Sequence, residues 1–272
     1  MNRKKIIEAS GLGNSFLIMD MDQEDITKIS DVRLENIRHL LELSHRDSAL
    51  IIGQVTDQTR QPITRMRIIE SDGTESSMCG NGLRVVGQYY YEHLNQPKIE
   101  VMTKAGQVSS ERLNADQIRT YLGKFHYLDS VDTRAEIIHD TDVGEPHAVV
   151  FSTHSQVDRL MQKLSFPIVY KGEVYGVDKK LPHGTRNLNI VVPDLFDPNH
   201  LHNRTFERGV NHETLACGTG AACAAATYAK VFLNQENFSV RISTLSGDLQ
   251  VDGYNKDVYV TGPAKIEKIM DL

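Results

Sequence analysis

Short apolar runs recur along the whole chain and predict a strand-rich fold. Fewer segments are long enough for several helical turns, and these predict helices at 36–43, 83–93, 156–164 and 221–232. Strands outnumber helices, so the expected fold class is α+β. The predicted strands lie at 16–19, 49–52, 66–69, 98–102, 148–151, 188–192, 239–243, 247–251, 257–261 and 264–269.

The order of these elements repeats once along the chain. A glycine-bearing turn opens each half, at 11–15 and again at 144–147, and each half later reaches a Cys-Gly-x-Gly phrase. Two copies indicate a duplication into two similar domains rather than a solenoid. We therefore expect an N-terminal domain of residues 1–123 plus 263–272 and a C-terminal domain of residues 124–262, with the last strand returning to the first domain.

Composition and charge narrow the function classes. The chain has 272 residues, a net charge of -6 and three cysteines without metal-ligand spacing. This charge argues against a nucleic-acid or anionic-membrane partner, and no apolar stretch is long enough to span a bilayer. The basic N-terminus lacks the apolar core of a signal peptide. We expect a cytoplasmic protein with reduced thiols, no metal and no membrane or nucleic-acid partner.

Cys79 and Cys217 stand in the same frame, Cys-Gly-Asn-Gly and Cys-Gly-Thr-Gly, and each precedes a predicted helix. The unpaired amides and the positive dipole end of a helix N-terminus favour a reactive thiolate. The glycines allow a ligand to approach the backbone closely. A lone cysteine is more often an apolar filler, as we expect for Cys223 in its alanine-rich helix. Two thiols in repeated frames could serve opposite faces of one carbon, or could form a redox pair.

Several phrases, each weak alone, together resemble the diaminopimelate epimerase family and the wider group of amino-acid racemases that work without pyridoxal phosphate. The matches run in order over nearly the whole chain. They comprise Gly-Leu-Gly-Asn-Ser-Phe at 11–16, Ser-Asp-Gly at 71–73, Cys-Gly-Asn-Gly at 79–82, Thr-Lys-Ala-Gly at 103–106, Gly-Glu-Pro-His at 144–147, Asn-Leu-Asn at 187–189, Glu-Arg-Gly at 207–209 and Glu-Thr-Leu-Ala-Cys-Gly-Thr-Gly at 213–220.

The resemblance implies two barrel-like domains, each a sheet around a central helix, with the site in the cleft between them. It also implies a two-base reaction without metal or organic cofactor. One catalytic cysteine, Cys79 or Cys217, takes the α-proton of an amino-acid substrate while the other delivers a proton to the opposite face. A homodimer is plausible for this family.

The same resemblance assigns the surrounding residues. His147 and Glu207 tune the two thiols. The backbone amides at Gly80, Asn81, Gly218 and Thr219 hold the α-carboxylate. The remaining substrate-binding residues implied are Asn14, Ser48, Glu70, Glu145, Asn187, Glu207 and Arg208.

Three of these positions depart from the family pattern. Ser48 and Glu70 stand where the family has glutamine and asparagine, and Glu145 replaces another asparagine. Two added carboxylates would repel a distal carboxylate and attract a distal cation. The expected substrate is therefore a basic amino acid, histidine first and then lysine, ornithine or arginine. The alternatives left open are a true diaminopimelate epimerase, a thiol redox protein and an amino-acid-binding protein without catalysis.

Overall fold

The computed structural model describes residues 5–21, 26–56, 62–132, 137–153, 155–156, 186–207 and 212–271. Backbone contacts divide the chain into two compact units, Met1–Tyr121 with Thr261–Leu272, and Leu122–Val260. The helix predicted at 156–164 lies outside the described residues from position 157 onward. Within the described ranges, no helix is both long enough and apolar enough to cross a membrane.

The first unit is one sheet whose strand order is β18-β1-β2-β3-β4-β6-β7-β8, with the short β5 paired to β4. The β2–β3 and β4–β6 pairings are parallel and the others are antiparallel. The strands are β1 (Lys5–Gly11), β2 (Asn14–Asp20), β3 (Ser48–Thr56), β4 (Pro62–Glu70), β5 (Glu75–Ser76), β6 (Lys98–Thr103), β7 (Gly106–Arg112), β8 (Ile118–Lys124) and β18 (Lys265–Asp271).

Helix α2 (Gly80–Leu94) lies at the centre of this unit. It contacts β1, β2, β6, β7 and β18, so the sheet curls around it. Its residues 80–90 are all buried, including the polar Asn81, Arg84 and Gln88. The predicted helix at 83–93 is confirmed and begins three residues earlier.

Helix α1 (Asp31–Ser44) covers the outside of the first unit and has an amphipathic pattern. Its N-cap Ser30 accepts the amide of Arg33, and it ends at His45 in the left-handed conformation. Ile37 and Leu41 are its buried residues, and they pack on a cluster that includes Leu17 and Ile51. A short 3-10 turn, Ile26–Lys28, precedes it.

The second unit repeats the strand order of the first. Its sheet runs β9-β10-β11-β12-β13-β15-β16, with β11–β12 and β13–β15 parallel and the short β14 paired to β13. The strands are β9 (His126–Asp132), β10 (Ile137–Asp142), β11 (Pro146–Phe151), β12 (Asn187–Pro193), β13 (His200–Glu207), β14 (His212–Thr214), β15 (Phe238–Thr244), β16 (Gly247–Tyr254) and β17 (Asp257–Gly262).

Helix α3 (Gly218–Tyr228) is the buried centre of the second unit, as α2 is of the first. It contacts β10 through β13, β15 and β16, and every one of its residues is buried. The alanine-rich sequence fits this position because small side chains let the surrounding strands approach the helix closely. A π-helical turn, Ala229–Leu233, continues it to Asn234, which takes the left-handed conformation. The α+β class and the two similar strand-rich domains are thus confirmed.

Candidate active site

Cys79 is the N-cap of α2. Its backbone is extended, with φ -140° and ψ 107°, and the Gly82 amide donates to its Sγ at 3.3 Å. A Cβ at Gly82 would lie 2.9 Å from Leu50 Cδ2, so a side chain here would have to displace Leu50. The thiol is half-buried. The first helical turn therefore supplies an amide hydrogen bond to the sulfur, which stabilises the thiolate.

Asn81, which lies between Gly80 and Gly82, extends this cap into a polar network. Its side-chain amide donates to Asn14 Oδ1, and its own Oδ1 accepts from Arg84 Nη2 at 2.5 Å. Asn14 closes a two-residue hairpin turn in which Leu12 has φ 46° and Gly13 has φ 90°. A leucine rarely adopts a positive φ, so this turn stores backbone strain beside the cap.

Ser48, the first residue of β3, and Glu70, the last residue of β4, are cross-strand partners. The Ser48 hydroxyl donates to Glu70 Oε2 at 2.6 Å. Burial raises the pKa of the Glu70 carboxyl, nearby Asp72 and Asp47 raise it further, and hydrogen bonds from Ser48 and Ser76 oppose the rise. The structure thus joins two of the three positions that depart from the family pattern.

The Ser48–Glu70 pair lies on the same sheet face as the cap of Cys79. Ser48 is two residues from Leu50 on β3, and Leu50 is the side chain against which Gly82 packs. Alternate residues of a strand share a face and stand about 6.8 Å apart. Asp47 is held separately, because its Oδ2 accepts the amide and the hydroxyl of Ser15 at 2.7 and 3.0 Å.

Cys217 is the N-cap of α3 and repeats the geometry of Cys79. Its φ and ψ are -128° and 115°, and the Gly220 amide donates to its Sγ at 3.3 Å. It is more buried than Cys79, with 7% of its surface exposed. A Cβ at Gly220 would lie 2.3 Å from Asn189 Oδ1, so a side chain here would displace the hydrogen-bonded Asn189 amide.

A chain of buried hydrogen bonds leads to the sulfur of Cys217. Asn189 Nδ2 lies 2.8 Å from His147 Nδ1, and His147 Nε2 lies 3.0 Å from Thr219 Oγ1. Thr219 Oγ1 in turn lies 3.4 Å from Cys217 Sγ. Both His147 and Asn189 are fully buried. His147 therefore reaches the thiol through the Thr219 hydroxyl.

The donor and acceptor roles along this chain follow from the hydrogen bonds of the Asn189 side-chain amide. Its Oδ1 accepts the Thr205 hydroxyl at 2.9 Å and an Asn203 amide hydrogen at 3.4 Å, which leaves Nδ2 to donate to His147. His147 Nδ1 is then the acceptor, and the protonated Nε2 donates its hydrogen bond to Thr219 Oγ1. The Thr219 hydroxyl is thereby oriented to donate to the sulfur.

Sequence reasoning missed Asn189, Asn203 and Thr205 as contributors to this site. The signal that could have found them is the alternation of polar residues in apolar strands. Asn189 stands opposite Thr205 across β12 and β13, and Asn203 lies two residues earlier on β13. Polar residues at alternate positions of two adjacent buried strands must satisfy one another, and so they indicate a network.

The other predicted residues of the second unit lie around the same strands. Asn187 begins β12 beside His147 in the parallel β11–β12 register and is 5% exposed. Glu145, 4% exposed, directly precedes β11. Glu207 ends β13, where its carboxylate accepts the Thr214 hydroxyl at 2.6 Å. Arg208 lies outside the described residues.

Cys223 differs from the other two cysteines. It lies inside α3, is fully buried, and has no glycine frame. Burial strongly raises the pKa of its thiol, which keeps the sulfur protonated and unreactive. Its expected role as a filler of the core agrees with this environment.

Comparison with known proteins gives the family of the chain. The family model described as "Diaminopimelate epimerase" matches residues 7–128 and 141–267. A diaminopimelate epimerase of Nitrosospira multiformis is 32% identical, with 96% of this chain and 95% of that protein covered. Another, from Methanococcus maripaludis, is 28% identical over 96% of each chain.

The fold also matches solved structures. A hydroxyproline epimerase from Agrobacterium vitis, crystallised with trans-4-hydroxy-L-proline, superposes with a TM-score of 0.72 at 14% identity. The match covers 100% of this chain and 91% of that one. The redox and binding-protein alternatives receive no support from these matches. The chain belongs to the diaminopimelate epimerase family, and it is an isomerase of the racemase and epimerase class that works without pyridoxal phosphate.

Proposed function

We propose that this enzyme inverts the α-carbon of a single amino acid with a basic side chain, using Cys79 and Cys217 as its base and acid. Histidine is the first candidate substrate, followed by lysine, ornithine and arginine. One thiolate removes the α-proton while the other thiol protonates the opposite face, and the roles exchange in the reverse reaction. No metal or organic cofactor takes part in this scheme.

The matched caps support the two-base part of the proposal. Each sulfur sits at a helix N-terminus and accepts one amide at 3.3 Å, from Gly82 or Gly220. A free thiol is ionised only to a few per cent near neutral pH, so each sulfur needs such donors to act as a base. An enzyme that works in both directions needs this help at both sulfurs.

The same helix ends suit the α-carboxylate. An N-cap side chain takes the third amide of the helix, as each cysteine does here. The earlier amides, of Gly80 and Asn81 in α2 and of Gly218 and Thr219 in α3, point along the helix axis toward the cap. A carboxylate is stabilised by such amides and by the helix dipole, as is negative charge that develops at the α-carbon.

The observation that carries the choice of substrate is the Glu70 carboxylate, which accepts a hydrogen bond from the Ser48 hydroxyl. Glu70 is bound to the Ser48 hydroxyl on the sheet face that also packs against the Cys79 cap. Asp47 and Asp72 add negative charge close enough to raise the Glu70 pKa. A distal ammonium, guanidinium or imidazolium would relieve this repulsion, whereas a distal carboxylate would increase it.

Glu145 supports the same choice from the second unit. It is 4% exposed and stands in the turn that leads to His147. Its carboxylate places a second acidic group among the positions that depart from the family pattern, and this group would attract a cationic substrate group and repel a distal carboxylate.

A racemisation panel in deuterium oxide tests this proposal. Purified enzyme is incubated with L-histidine, L-lysine, L-ornithine, L-arginine and LL-diaminopimelate. Loss of optical activity and α-deuteration are followed by polarimetry and mass spectrometry. We expect inversion with α-deuteration for at least one basic amino acid, at a kcat/KM above that for diaminopimelate. Inversion of diaminopimelate alone would refute the basic substrate and leave the two-base mechanism intact.

Diaminopimelate epimerisation is the second candidate function. It is favoured by the relatives named above, which carry that name at 28% and 32% identity. Asn187, which the family resemblance links to the distal carboxylate, is also retained. The panel separates the two candidates because diaminopimelate ends in an amino-acid group rather than in a simple cation.

A further inference from the structure

A second group of reactive side chains lies in the second unit, away from the cysteine caps in sequence. Asp194 follows β12, and His200 and His202 lie on one face of β13. Each side chain offers one potential metal-ligand atom, and these three atoms lie within 4.8 Å of one another. Two imidazoles and one carboxylate form a donor set that divalent transition metals favour.

The spacing of these atoms suits one shared ion. Asp194 Oδ2 lies 3.5 Å from His200 Nδ1 and 3.5 Å from His202 Nε2. Zinc bonds to nitrogen and oxygen are about 2.0–2.1 Å long, so tetrahedral ligands stand about 3.3 Å apart. The observed separations are longer than good hydrogen bonds but close to this tetrahedral edge.

The carboxylate of Asp194 is already oriented. Its Oδ1 accepts the amides of Phe196 and Asp197 at 2.8 and 3.0 Å, which leaves Oδ2 to face the two imidazoles. The backbone closes the same loop, because the Asp194 amide donates to the His200 carbonyl and the His200 amide donates to the Asp197 carbonyl. The loop therefore holds this ligand in place.

His200 is oriented by an outer pair of residues. Its Nε2 lies 2.8 Å from Ser243 Oγ, and the Ser243 hydroxyl donates to Asp248 Oδ1 at 2.6 Å. Since that hydroxyl proton is committed to Asp248, Ser243 must accept the Nε2 proton of His200. The Nδ1 lone pair of His200 then faces Asp194 and His202. A histidine that ligates a metal typically has such an outer partner.

Arg241 is the residue that opposes a metal ion here. Its Nη2 lies 3.2 Å from His200 Nδ1 and 3.6 Å from Asp197 Oδ2. This contact shows that His200 Nδ1 is available as an acceptor and that the cluster attracts a cation. The Arg241 side chain is 48% exposed, so it can turn outward when an ion binds.

We propose that Asp194, His200 and His202 form a zinc-class metal site, with three protein ligands and water in the fourth position. The ion would fasten the 194–199 loop to β13. The proposal is independent of the racemase reaction, since none of its ligands belongs to the cysteine caps.

Zinc titration against a chromophoric chelator tests the site. The parent for this test is the full chain with Cys79→Ser and Cys217→Ser, because the two cap thiols would also bind zinc. We expect this parent to bind one tight equivalent and His202→Ala to lose it. The matched control is His126→Ala, an exposed histidine of the same unit, which should bind as the parent does.

Two further variants follow from the geometry. Ser243→Ala should weaken zinc binding 10- to 100-fold, the usual effect of removing an outer-shell partner. Arg241→Gln should tighten it about tenfold or more, because a competing charge close to the ion is removed. Circular dichroism establishes that each variant is folded.

The result can also overturn the proposal. Equal zinc affinity in the parent and in His202→Ala would do so, as would the absence of any tight equivalent in both the parent and folded Arg241→Gln. Cobalt(II) gives an independent readout. A four-coordinate site would produce strong visible absorption in the parent, and folded His202→Ala would lack it.

Discussion

The two cysteine caps share a backbone and differ in what surrounds the sulfur. Both cysteines are N-caps with extended backbones, and each sulfur accepts one hydrogen bond of 3.3 Å from a backbone amide. In the Cys-Gly-x-Gly frame of Cys217, x is Thr219, which links the sulfur to His147 and Asn189. Behind Cys79, the x position is Asn81, which turns to Asn14 and Arg84.

This difference indicates how the two copies have diverged. The duplicated helix end supplies what any thiol base needs, a set of amides and a dipole. The second copy adds a neutral hydrogen-bond chain that acts on its sulfur. The first copy instead holds a strained hairpin turn at Leu12 and the Glu70 carboxyl hydrogen-bonded to Ser48. Under the proposed function, the second unit would mainly adjust the thiol and the first would mainly recognise the substrate.

Replacing either cap cysteine tests the shared part of the comparison and should have the largest effect. Cys79→Ser or Cys217→Ser should each lower kcat for inversion by about 10³-fold, within the range for loss of a general acid or base. The measurement is α-deuteration and inversion of each enantiomer separately. In the proposed reaction the two thiols serve opposite faces, so residual exchange should favour one enantiomer in Cys79→Ser and the other in Cys217→Ser.

The control for this pair is Cys223→Ala, which replaces a buried thiol with the residue that surrounds it in α3. It should racemise as the wild type does. Full inversion activity in either serine variant would refute the two-thiol reaction.

Asn189→Ala tests the hydrogen-bond chain behind Cys217. It removes the donor that fixes the His147 tautomer and leaves buried partners unsatisfied, which costs about 1–3 kcal/mol. We expect kcat to fall about 10- to 100-fold and the acidic limb of the kcat/KM profile to move to higher pH, because the thiolate loses an oriented donor. The measurement is the full pH profile with the best substrate of the panel.

The matched variant is Asn14→Ala in the first unit. It removes the partner of Asn81 and leaves intact the hydrogen-bond chain that leads to the Cys217 sulfur. It should raise KM and leave the shape of the pH profile unchanged. An identical pH shift in both variants would remove the distinction drawn between the two caps.

Much of this arrangement was readable from the sequence. The apolar runs located most of the core strands, and the repeated Cys-Gly-x-Gly phrase located both helix starts. Strands such as β7 and β13 were missed because they hold few apolar residues, only Val108 in β7 and only Leu201 and Phe206 in β13. In β13 two of the polar residues, Asn203 and Thr205, are nevertheless buried. Short patterns record the polarity of a residue, but not which polar residues will meet across a sheet.

The hydrogen-bond chain shows the same limit. His147 was predicted from its phrase, yet its path to the sulfur depends on Asn189 and Thr219, which are far apart in sequence. The pairing of Ser48 with Glu70 likewise depends on the β3–β4 register. Register is set by the whole sheet and cannot be read from one strand.

Glu70→Gln tests the substrate side of the comparison. The variant keeps an acceptor for the Ser48 hydroxyl but removes the charge proposed to meet the substrate cation. We expect KM for lysine or arginine to rise about tenfold, equivalent to about 1.4 kcal/mol, with kcat little changed. Steady-state kinetics measure this, with exposed Glu111→Gln as the control for a general charge effect. A lower KM for diaminopimelate in Glu70→Gln would further support repulsion of a distal carboxylate.

The smallest effect concerns pH. Burial raises the pKa of Glu70 in the folded protein, so its carboxyl takes up a proton at a higher pH than an exposed glutamate does. For lysine, whose side chain stays charged, KM should rise several-fold as pH falls through that raised value, and Glu70→Gln should lack this limb.

The contribution of Glu70 to the free energy of unfolding should depend on pH in the sense opposite to its contribution to lysine binding. A carboxyl whose pKa is raised by folding stabilises the fold when protonated, and this contribution is lost as pH rises through the folded pKa. In the absence of substrate, Glu70→Gln should therefore have a higher Tm than the wild type at neutral pH, and the difference should shrink toward acid. A Tm that is lower at neutral pH, in a variant that also binds lysine normally, would mean that Glu70 serves the fold and not the substrate.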